Sequence, residues 1–529
     1  MAERIYPVGI QTFSDIINRG CVYVDKTDLI YKLTKKYKYV FLSRPRRFGK
    51  SLLSTTLHSY FAGEKDLFKG LAIEGLEKDW TEYPVLHFDM STFKNCNLKD
   101  LQSKFNYKLS EYESIWGKNP ESETPGDRFK NLIISAKEQT GKPVIIIIDE
   151  YDAPLLDVLH NEDRLAEIRT VIQEFYAPIK ANDEYIRFTF ITGITKFSQL
   201  SIFSAINNLS NISMDPEFAA ICGITKEELT TTLSQDIELM AEHNGVSKEE
   251  MARMLQENYD GYHFSHDNMV DVFNPFSLIN ALADSKLRNY WASSGATSML
   301  PKFVDDMEIR LKDFDHCALI STTIETSDVT GGGPELFLYQ SGYLTIKGYV
   351  NGTYLLGIPN FEVRQALNEI VLPTLAMRKN NDIQSTQAFL NLYLSVGNLP
   401  EAMKCLKALV ADVPYSNKKL ASMDMEERYR LILSTIFNAI GCRVEVEKMI
   451  ATGRIDIVVE TTNFIYVLEL KLSNNGGIDS ATEQIRAKQY TEPFKADKRK
   501  VVAIAIELDE KGKGLVDWKE VPNIAASSI

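Results

Sequence analysis

Cysteine is scarce in this chain: six among 529 residues, at positions 21, 96, 222, 317, 405 and 442, with no C-x-x-C pair and no metal-ligand spacing to any of the seven histidines. That excludes a disulfide framework or a zinc ribbon and points to a reducing cytosol without structural zinc. Long apolar runs are missing as well. No 18 apolar residues stand together, and Met1-Ala2-Glu3-Arg4-Ile5-Tyr6-Pro7 lacks the apolar stretch of a secretion signal, so no membrane contact is expected and the chain is placed in the cytoplasm. Positive charge is in deficit, with 59 Lys and Arg against 72 Asp and Glu and a net charge of −13. No global basic field therefore draws the chain to nucleic acid, and any such binding must come from local patches. Internal repeats and low-complexity tracts are absent. What is present is a 44% hydrophobic chain, long enough for about two to four domains with sizeable cores.

The first chemistry-bearing stretch is Arg44-Pro45-Arg46-Arg47-Phe48-Gly49-Lys50-Ser51-Leu52, which follows the apolar Tyr39-Val40-Phe41-Leu42. A loop between a buried strand and a helix start wraps phosphate with backbone N–H groups. Lysine at position 50 then reaches the β- and γ-phosphates, and the Ser51 hydroxyl meets Mg²⁺. Arg46, Arg47, Phe48, Gly49, Lys50, Ser51 and Leu52 form the candidate nucleotide loop. The pattern G-x-x-x-x-G-K-[ST] is broken once, because Arg44 stands at the first glycine, where a Cβ is expected to narrow the loop. The second part is Val144-Ile145-Ile146-Ile147-Ile148 running into Asp149-Glu150. Asp149 can hold the metal through its water shell, and Glu150 can polarise an attacking water. Gly-Lys-Ser alone also arises by chance, and an apolar run ending in Asp-Glu is often a buried strand reaching solvent; both in this order after strands favour an ATP and Mg²⁺ site. Thr192 ends a later strand, where it either senses the γ-phosphate or caps the strand. Arg46 and Arg47 lean to the phosphates over a rim contact or a solvated ion pair. Arg169 and Arg187 remain uncommitted as arginine fingers.

Strand-like runs at Tyr39–Leu42, Val85–Phe88, Val144–Ile148 and Phe188–Ile191 alternate with amphipathic stretches, the pattern of a helix-covered parallel sheet over 1–214. Residues 215–300 read as a helical lid, with Thr225 and Ser247 as N-caps ahead of acidic first turns. A mixed α/β middle region over 301–413 holds a loop tip at Gly331-Gly332-Gly333-Pro334, short strands at Tyr343–Ile346 and Tyr354–Leu356, and a helical stretch from about 361 to 410. The polar segment Pro414–Met423 marks the boundary to a last domain, 414–529.

There, Gly453–Glu460 and Phe464–Lys471 read as two paired strands across a Thr461-Thr462-Asn463 turn. Alternation puts Glu469 and Lys471 on one face and Leu468 and Leu470 on the other. Asp456 on the partner strand then meets Glu469 around one Mg²⁺ or Mn²⁺, and Lys471 orients the metal-activated water. An upstream helix beginning at Glu427 directs that carboxylate at the metal. On a downstream helix Ala481, Gln484, Ile485 and Lys488 share a face, so Gln484 is expected to meet Lys471 or a substrate phosphate. Alternating Glu and Lys are commonly a solvated face, but charges ending a strongly apolar run need another explanation.

These motifs together resemble a bacterial family that joins an AAA-ATPase-like domain to a C-terminal PD-(D/E)xK nuclease-superfamily domain. The resemblance is carried by Tyr23-Val24-Asp25-Lys26-Thr27, Ser43 to Ser51, Ile148 to Pro154 and Thr192 to Ser198, then by Asn207-Asn208-Leu209, Tyr259-Asp260-Gly261-Tyr262 and Tyr339 to Leu344. Arg44 belongs to that family's own loop. The resemblance implies a P-loop NTPase parallel sheet with a helical lid, a mixed middle region and a restriction-endonuclease-like α/β core. It also implies ATP binding, with Asp456, Glu469 and Lys471 as the catalytic set of a metal-dependent nuclease acting on DNA or RNA. A link to phage defence or mobile elements is an analogy. Two other readings stay open: an ATP-dependent switch whose nuclease-like fold only binds nucleic acid or a partner, and a signalling NTPase that recognises a protein through 215–410. A homo-oligomer or a protein trigger also stays open.

Overall fold

The computed structural model describes residues 4–94, 97–159, 161–195, 208–293, 314, 317–326, 333–376, 380–413 and 423–522. Lys196, Phe197, Ser198, Asn207, Gly331, Gly332 and the stretch from 414 to 422 lie outside them. Phe314 apart, the described residues up to Asn360 form one compact unit and those from Phe361 onward a second.

In the first unit β1 (Tyr39–Ser43), β2 (Val85–Asp89), β3 (Val144–Asp149), β4 (Ile186–Gly193) and β5 (Ser210–Asn211) make an all-parallel sheet in the order β2-β3-β4-β1-β5. β3 is buried along its whole length, which is why it reads as an unbroken β-branched run with no alternation. Its register with β4 pairs Ile148 with Ile191, and that of β1 with β4 pairs Ser43 with Gly193, so the carboxyl ends of the three strands lie side by side. Loops leaving those ends are where an open parallel sheet builds a ligand crevice.

A helical layer follows, tied by the two-stranded β6 (Ile224–Thr225) and β7 (Val272–Phe273). Thr225 caps the Lys226–Thr230 helix in a reciprocal capping box with Glu228, and Ser247 caps Lys248–Tyr259 by accepting from the Glu250 N–H. Ile237, Met240, Met251, Leu255, Leu278 and Leu282 close its core. An antiparallel sheet, β8 (Cys317–Ile320), β9 (Thr345–Val350) and β10 (Thr353–Gly357), completes the unit in the order β8-β10-β9. Tyr343 and Leu344, expected in a strand, precede β9 as buried turn residues, because Tyr343 and Leu344 both donate their N–H to Leu338 O at the end of the preceding helix.

The Tyr259-Asp260-Gly261-Tyr262 motif knots this layer together. The Tyr262 hydroxyl donates to Gly342 O at 3.1 Å, Asn360 Nδ2 donates to Asp260 O at 2.8 Å, and Gly261 takes φ +88 with its absent Cβ aimed 2.3 Å from Pro359 O. Gly261→Ala adds a left-handed strain and a backbone overlap together, and is expected to cost about 3 kcal/mol or more in urea unfolding. Asp260 is 2% exposed. Burial pushes its carboxyl up to about 7, with Asp271 adding to the shift against the Gly261 N–H, Lys226 and Lys347. The folded state therefore holds a proton that the unfolded chain releases near 3.8. This contribution is fully present below that lower value and is lost as pH rises through about 7. Asp260→Asn is expected to match wild type near pH 4 and to exceed it at pH 8 by at most about 4 kcal/mol, read from unfolding curves at both pH values.

In the second unit helices Phe361–Ala376, Asn380–Val396, Leu399–Ala411 and Met425–Ala439 precede a five-stranded sheet. β11 (Arg443–Ile450), β12 (Gly453–Glu460), β13 (Phe464–Leu472), β14 (Lys500–Leu508) and β15 (Leu515–Val521) lie in sequential order, antiparallel except for the parallel pair β13 and β14. The Gly477–Lys488 helix makes the crossover that a parallel pair requires, and packs Ala481 and Ile485 on Ile465 and Val467. Among the described residues no helix is long and apolar enough to cross a membrane.

Candidate nucleotide pocket and carboxylate site

The loop after β1 turns through Arg47 and Gly49, both with positive φ (+68 and +84), and Gly49 caps the Lys50–Phe61 helix. Arg44 does not sit in the left-handed region, and its side chain leaves the loop altogether. It is buried, donates to Ser43 O (3.0 Å), Ser213 O (2.6 Å) and Phe218 O (3.3 Å), and lies 4.0 Å over the Phe264 ring. Burial lowers it to about 10. Arg44 thus anchors the loop from behind, by backbone carbonyls and a ring face. Phe48 is fully buried edge-on to Tyr262 and Phe264, which fixes the loop, and it lines a small apolar cavity beside Leu52.

Lys50 is buried and donates to the carbonyls of Arg44 and Pro45, each at 3.0 Å; burial lowers its pKa, against the pull of Glu150, Asp149 and Asp152. Ser51 hydrogen-bonds Asp149, whose carboxyl burial raises to about 6 although Ser51 and Lys50 oppose the rise. Glu150 is half-buried at φ +52, a conformation costing an ordinary residue about 1 kcal/mol or more, and its N–H donates to Asp149 Oδ1 at 3.0 Å. Arg46, Arg47, Gly49, Lys50, Ser51, Leu52 and Glu150 line one cavity of about 350 Å³. Arg47 lies 4.7 Å over the ring of Phe276, which lines the same cavity.

Thr192 is not in that set. Its buried hydroxyl donates to Leu42 O at 2.8 Å, a tie between β4 and β1, which favours the strand-capping alternative. Asp152, quoted only as part of a motif, is fully buried and accepts from the N–H groups of Ile194 and Thr195 and from the Thr195 hydroxyl, at 3.0, 2.7 and 2.6 Å. It fastens the end of β4 to the turn after β3. Sequence reading also missed Pro7, Val8 and Ile10, which form the far wall with Phe276 and Ile279. Their only signal is that they extend the apolar Ile5-Tyr6 stretch of the N-terminal segment. Arg187 donates to Thr34 O away from the cavity. A smaller apolar cavity, about 110 Å³, shares Pro7, Ile16, Gly49, Leu52, Pro275 and Ile279 with the first and is also lined by Val24 and Ile221.

In the second unit Asp456 and Glu469 meet on adjacent strands, 6% and 1% exposed. Leu470 N–H donates to Asp456 Oδ2 at 2.9 Å, and Lys471 Nζ sits 2.8 Å from Glu469 Oε1, as same-face residues of β13 should. Burial, then the neighbouring Asp456 carboxylate, push Glu469 up to about 8 despite Lys471. Burial would lower Lys471, but Glu469 and Asp456 override it and hold its ammonium above the ordinary range. Glu469 Oε2 is buried without a donor. An orphaned buried oxygen beside a second carboxylate suits a hard divalent ion, as does the Ser51 and Asp149 pair in the first unit.

The Met425–Ala439 helix brings Glu426 to this site, next in the chain to the Glu427 that the sequence points to. Glu427 donates its N–H to the Asp424 cap at 2.9 Å, while Glu426 pairs with Arg430 at 3.4 Å and adds to the field on Lys471. Gln484 does not meet Lys471. Its Nε2 amide donates to the Tyr490 hydroxyl at 2.9 Å, and that hydroxyl donates to Arg454 O at 2.7 Å. Sequence reading missed Arg430 and Glu447 as well. Arg430 reaches Glu447 at 2.7 Å and Asp456 at 3.3 Å, and Arg454 reaches Glu447 at 3.2 Å.

Comparison with known proteins agrees with this division. Residues 7–203 match the model of a family described as a predicted AAA-ATPase, and residues 424–518 match that of the PD-(D/E)XK nuclease superfamily. A protein of Azotobacter chroococcum mcd 1, described as an uncharacterized protein in the vnfD 5′ region, is 29% identical over 528 residues, 98% of this chain and 99% of that protein. The chain thus joins an AAA-ATPase-like domain at 7–203 to a PD-(D/E)XK nuclease-superfamily domain at 424–518.

Proposed function

We propose that the chain is an ATP-binding and ATP-hydrolysing protein whose C-terminal domain is a metal-dependent nuclease, acting in the cytoplasm on DNA or RNA, in defence or mobile-element biology. The observation that carries this reading is the buried pair Asp456 and Glu469 with Lys471 Nζ 2.8 Å from the glutamate and Glu469 Oε2 without a donor. Mg²⁺ or Mn²⁺ held by Asp456 and Glu469 would acidify a water and neutralise phosphate charge. Lys471 supplies a fixed positive charge for the negative charge that develops on the phosphate. In the first unit Lys50, which now donates to two carbonyls, would supply positive charge to phosphate oxygens, and the backbone N–H groups of the helix start at Gly49 to Leu52 would add donors. Ser51 and Asp149 are the residues to hold Mg²⁺ there, and Glu150 polarises water. The apolar cavity beside Leu52 suits the nucleotide base.

The test is cleavage of labelled single- and double-stranded DNA and RNA by the full chain with Mg²⁺, Mn²⁺ or EDTA, with and without ATP. Cleavage that needs the metal and changes with ATP is the expected result. Nucleotide-dependent binding of nucleic acid with no cleavage in any condition would replace this reading with that of a binding switch.

A further inference from the structure

The carboxylate site already contains a cation, supplied by the chain itself. Arg430 is nearly buried, its side chain 12% exposed, and its guanidinium touches three carboxylates: Glu447 at 2.7 Å, Asp456 Oδ1 at 3.3 Å and Glu426 at 3.4 Å. Asp456 Oδ2 is taken by the Leu470 N–H, and Glu469 Oε1 by Lys471. The oxygens left to an incoming metal are Glu469 Oε2 and the Asp456 Oδ1 that Arg430 holds. Glu447 stands where the β11 and β12 register is interrupted, between the Val446–Ile457 and Lys448–Ile455 pairs, and sits at φ +55, a left-handed position that glutamate rarely takes, inside a strand. Strain of that kind persists where surrounding structure requires it, and here it aims a carboxylate at Arg430.

Resting on the nuclease reading, we propose that Arg430 is a built-in competitor of the divalent metal. It holds Asp456 while the site lacks metal, yields Oδ1 when the ion enters, and is received by Glu447 and Glu426. Metal loading is thereby tied to the movement of one guanidinium, and Arg430 acts as a positioning residue through Asp456.

Mn²⁺ titration calorimetry on the full chain tests this. Asp456→Asn first defines the site: if wild type binds no Mn²⁺, or binds it equally in that variant, the metal-site reading itself falls and the competitor with it. With the site so defined, Arg430→Met is expected to bind Mn²⁺ about tenfold more tightly, since the competing charge is gone. Arg454→Met, which removes a charge from Glu447 but none from Asp456, is expected to change affinity by less than about threefold. Glu447→Gln takes away the receiver and is expected to weaken binding about threefold in wild type and not at all in the Arg430→Met background. Unchanged or weaker binding by Arg430→Met overturns the proposal, and so does a Glu447→Gln effect that survives in that background. Should Arg430→Met fail to fold, Arg430→Lys keeps the charge but loses the fork that spans Glu447 and Asp456; about threefold tighter binding supports the proposal and wild-type affinity overturns it.

Discussion

Lys471→Ala is expected to lower cleavage by about 100- to 1,000-fold, the scale on which one fixed charge aimed at a developing anion acts in a water-poor site. Glu469→Gln is expected to lower it further, since it removes a metal-binding carboxylate. The two variants differ in a way that separates chemistry from folding. Lys471 is the cation nearest Glu469, and without it two buried carboxyls face one another with only Arg430 near Asp456. Its removal should cost about 1–3 kcal/mol in the metal-free protein, as loss of one partner of a buried charged hydrogen bond does. Glu469→Gln keeps the shape, leaves Lys471 an amide oxygen to donate to, and replaces a carboxyl whose ionisation burial and Asp456 already oppose by a neutral group. Its metal-free form should therefore melt no lower than wild type. Cleavage rates in Mn²⁺ set beside melting curves in EDTA check both halves. An active Glu469→Gln would remove this carboxylate from the mechanism.

What the sequence discloses here depends on how far the cause lies along the chain. The buried β3 run, the β12 and β13 pair and the shared face of Glu469 and Lys471 follow from local period alone, and the last is met as a 2.8 Å ion pair. Glu426 was also within reach. It stands three and seven residues before Tyr429 and Leu433, both buried, whereas Glu427 stands four before Leu431, which is only half-buried. Spacing to the apolar stripe therefore favoured 426. Arg44 is a different case, because its partners Ser213, Phe218 and Phe264 lie more than a hundred residues away and no local pattern announces a guanidinium satisfied by carbonyls. Gln484 is taken up by Tyr490, close in sequence but beyond the end of its helix, and Arg430, although an i,i+4 partner of Glu426, owes its role to two strands meeting beneath it. Glu447 is unreadable for another reason: a left-handed glutamate in a strand contradicts local propensity, and such contradictions are settled by tertiary structure.

Lys50→Ala is expected to weaken ATP binding by about 100-fold or more while leaving the unliganded protein nearly as stable. The first half follows from charge: a buried ammonium that meets phosphate makes hydrogen bonds worth about 1.5–3 kcal/mol each, and about 1.4 kcal/mol is tenfold in affinity. The second half follows from what Lys50 does without nucleotide. Burial already disfavours its charge, so removal relieves a desolvation cost while leaving the Arg44 and Pro45 carbonyls without their donor. These changes oppose one another, and the net should lie within about 1 kcal/mol. Linkage makes the contrast measurable. At a hundred times its dissociation constant ATP stabilises a binding-competent fold by about 2.7 kcal/mol, so wild type should gain that much in urea unfolding and Lys50→Ala almost nothing at the same concentration. Ser51→Ala should keep part of the gain in EDTA and lose the increment that Mg²⁺ adds, because the hydroxyl it removes is the one bonded to Asp149. Equal stabilisation of wild type and Lys50→Ala by ATP would place the nucleotide elsewhere than in the cavity that Lys50, Ser51 and Glu150 line.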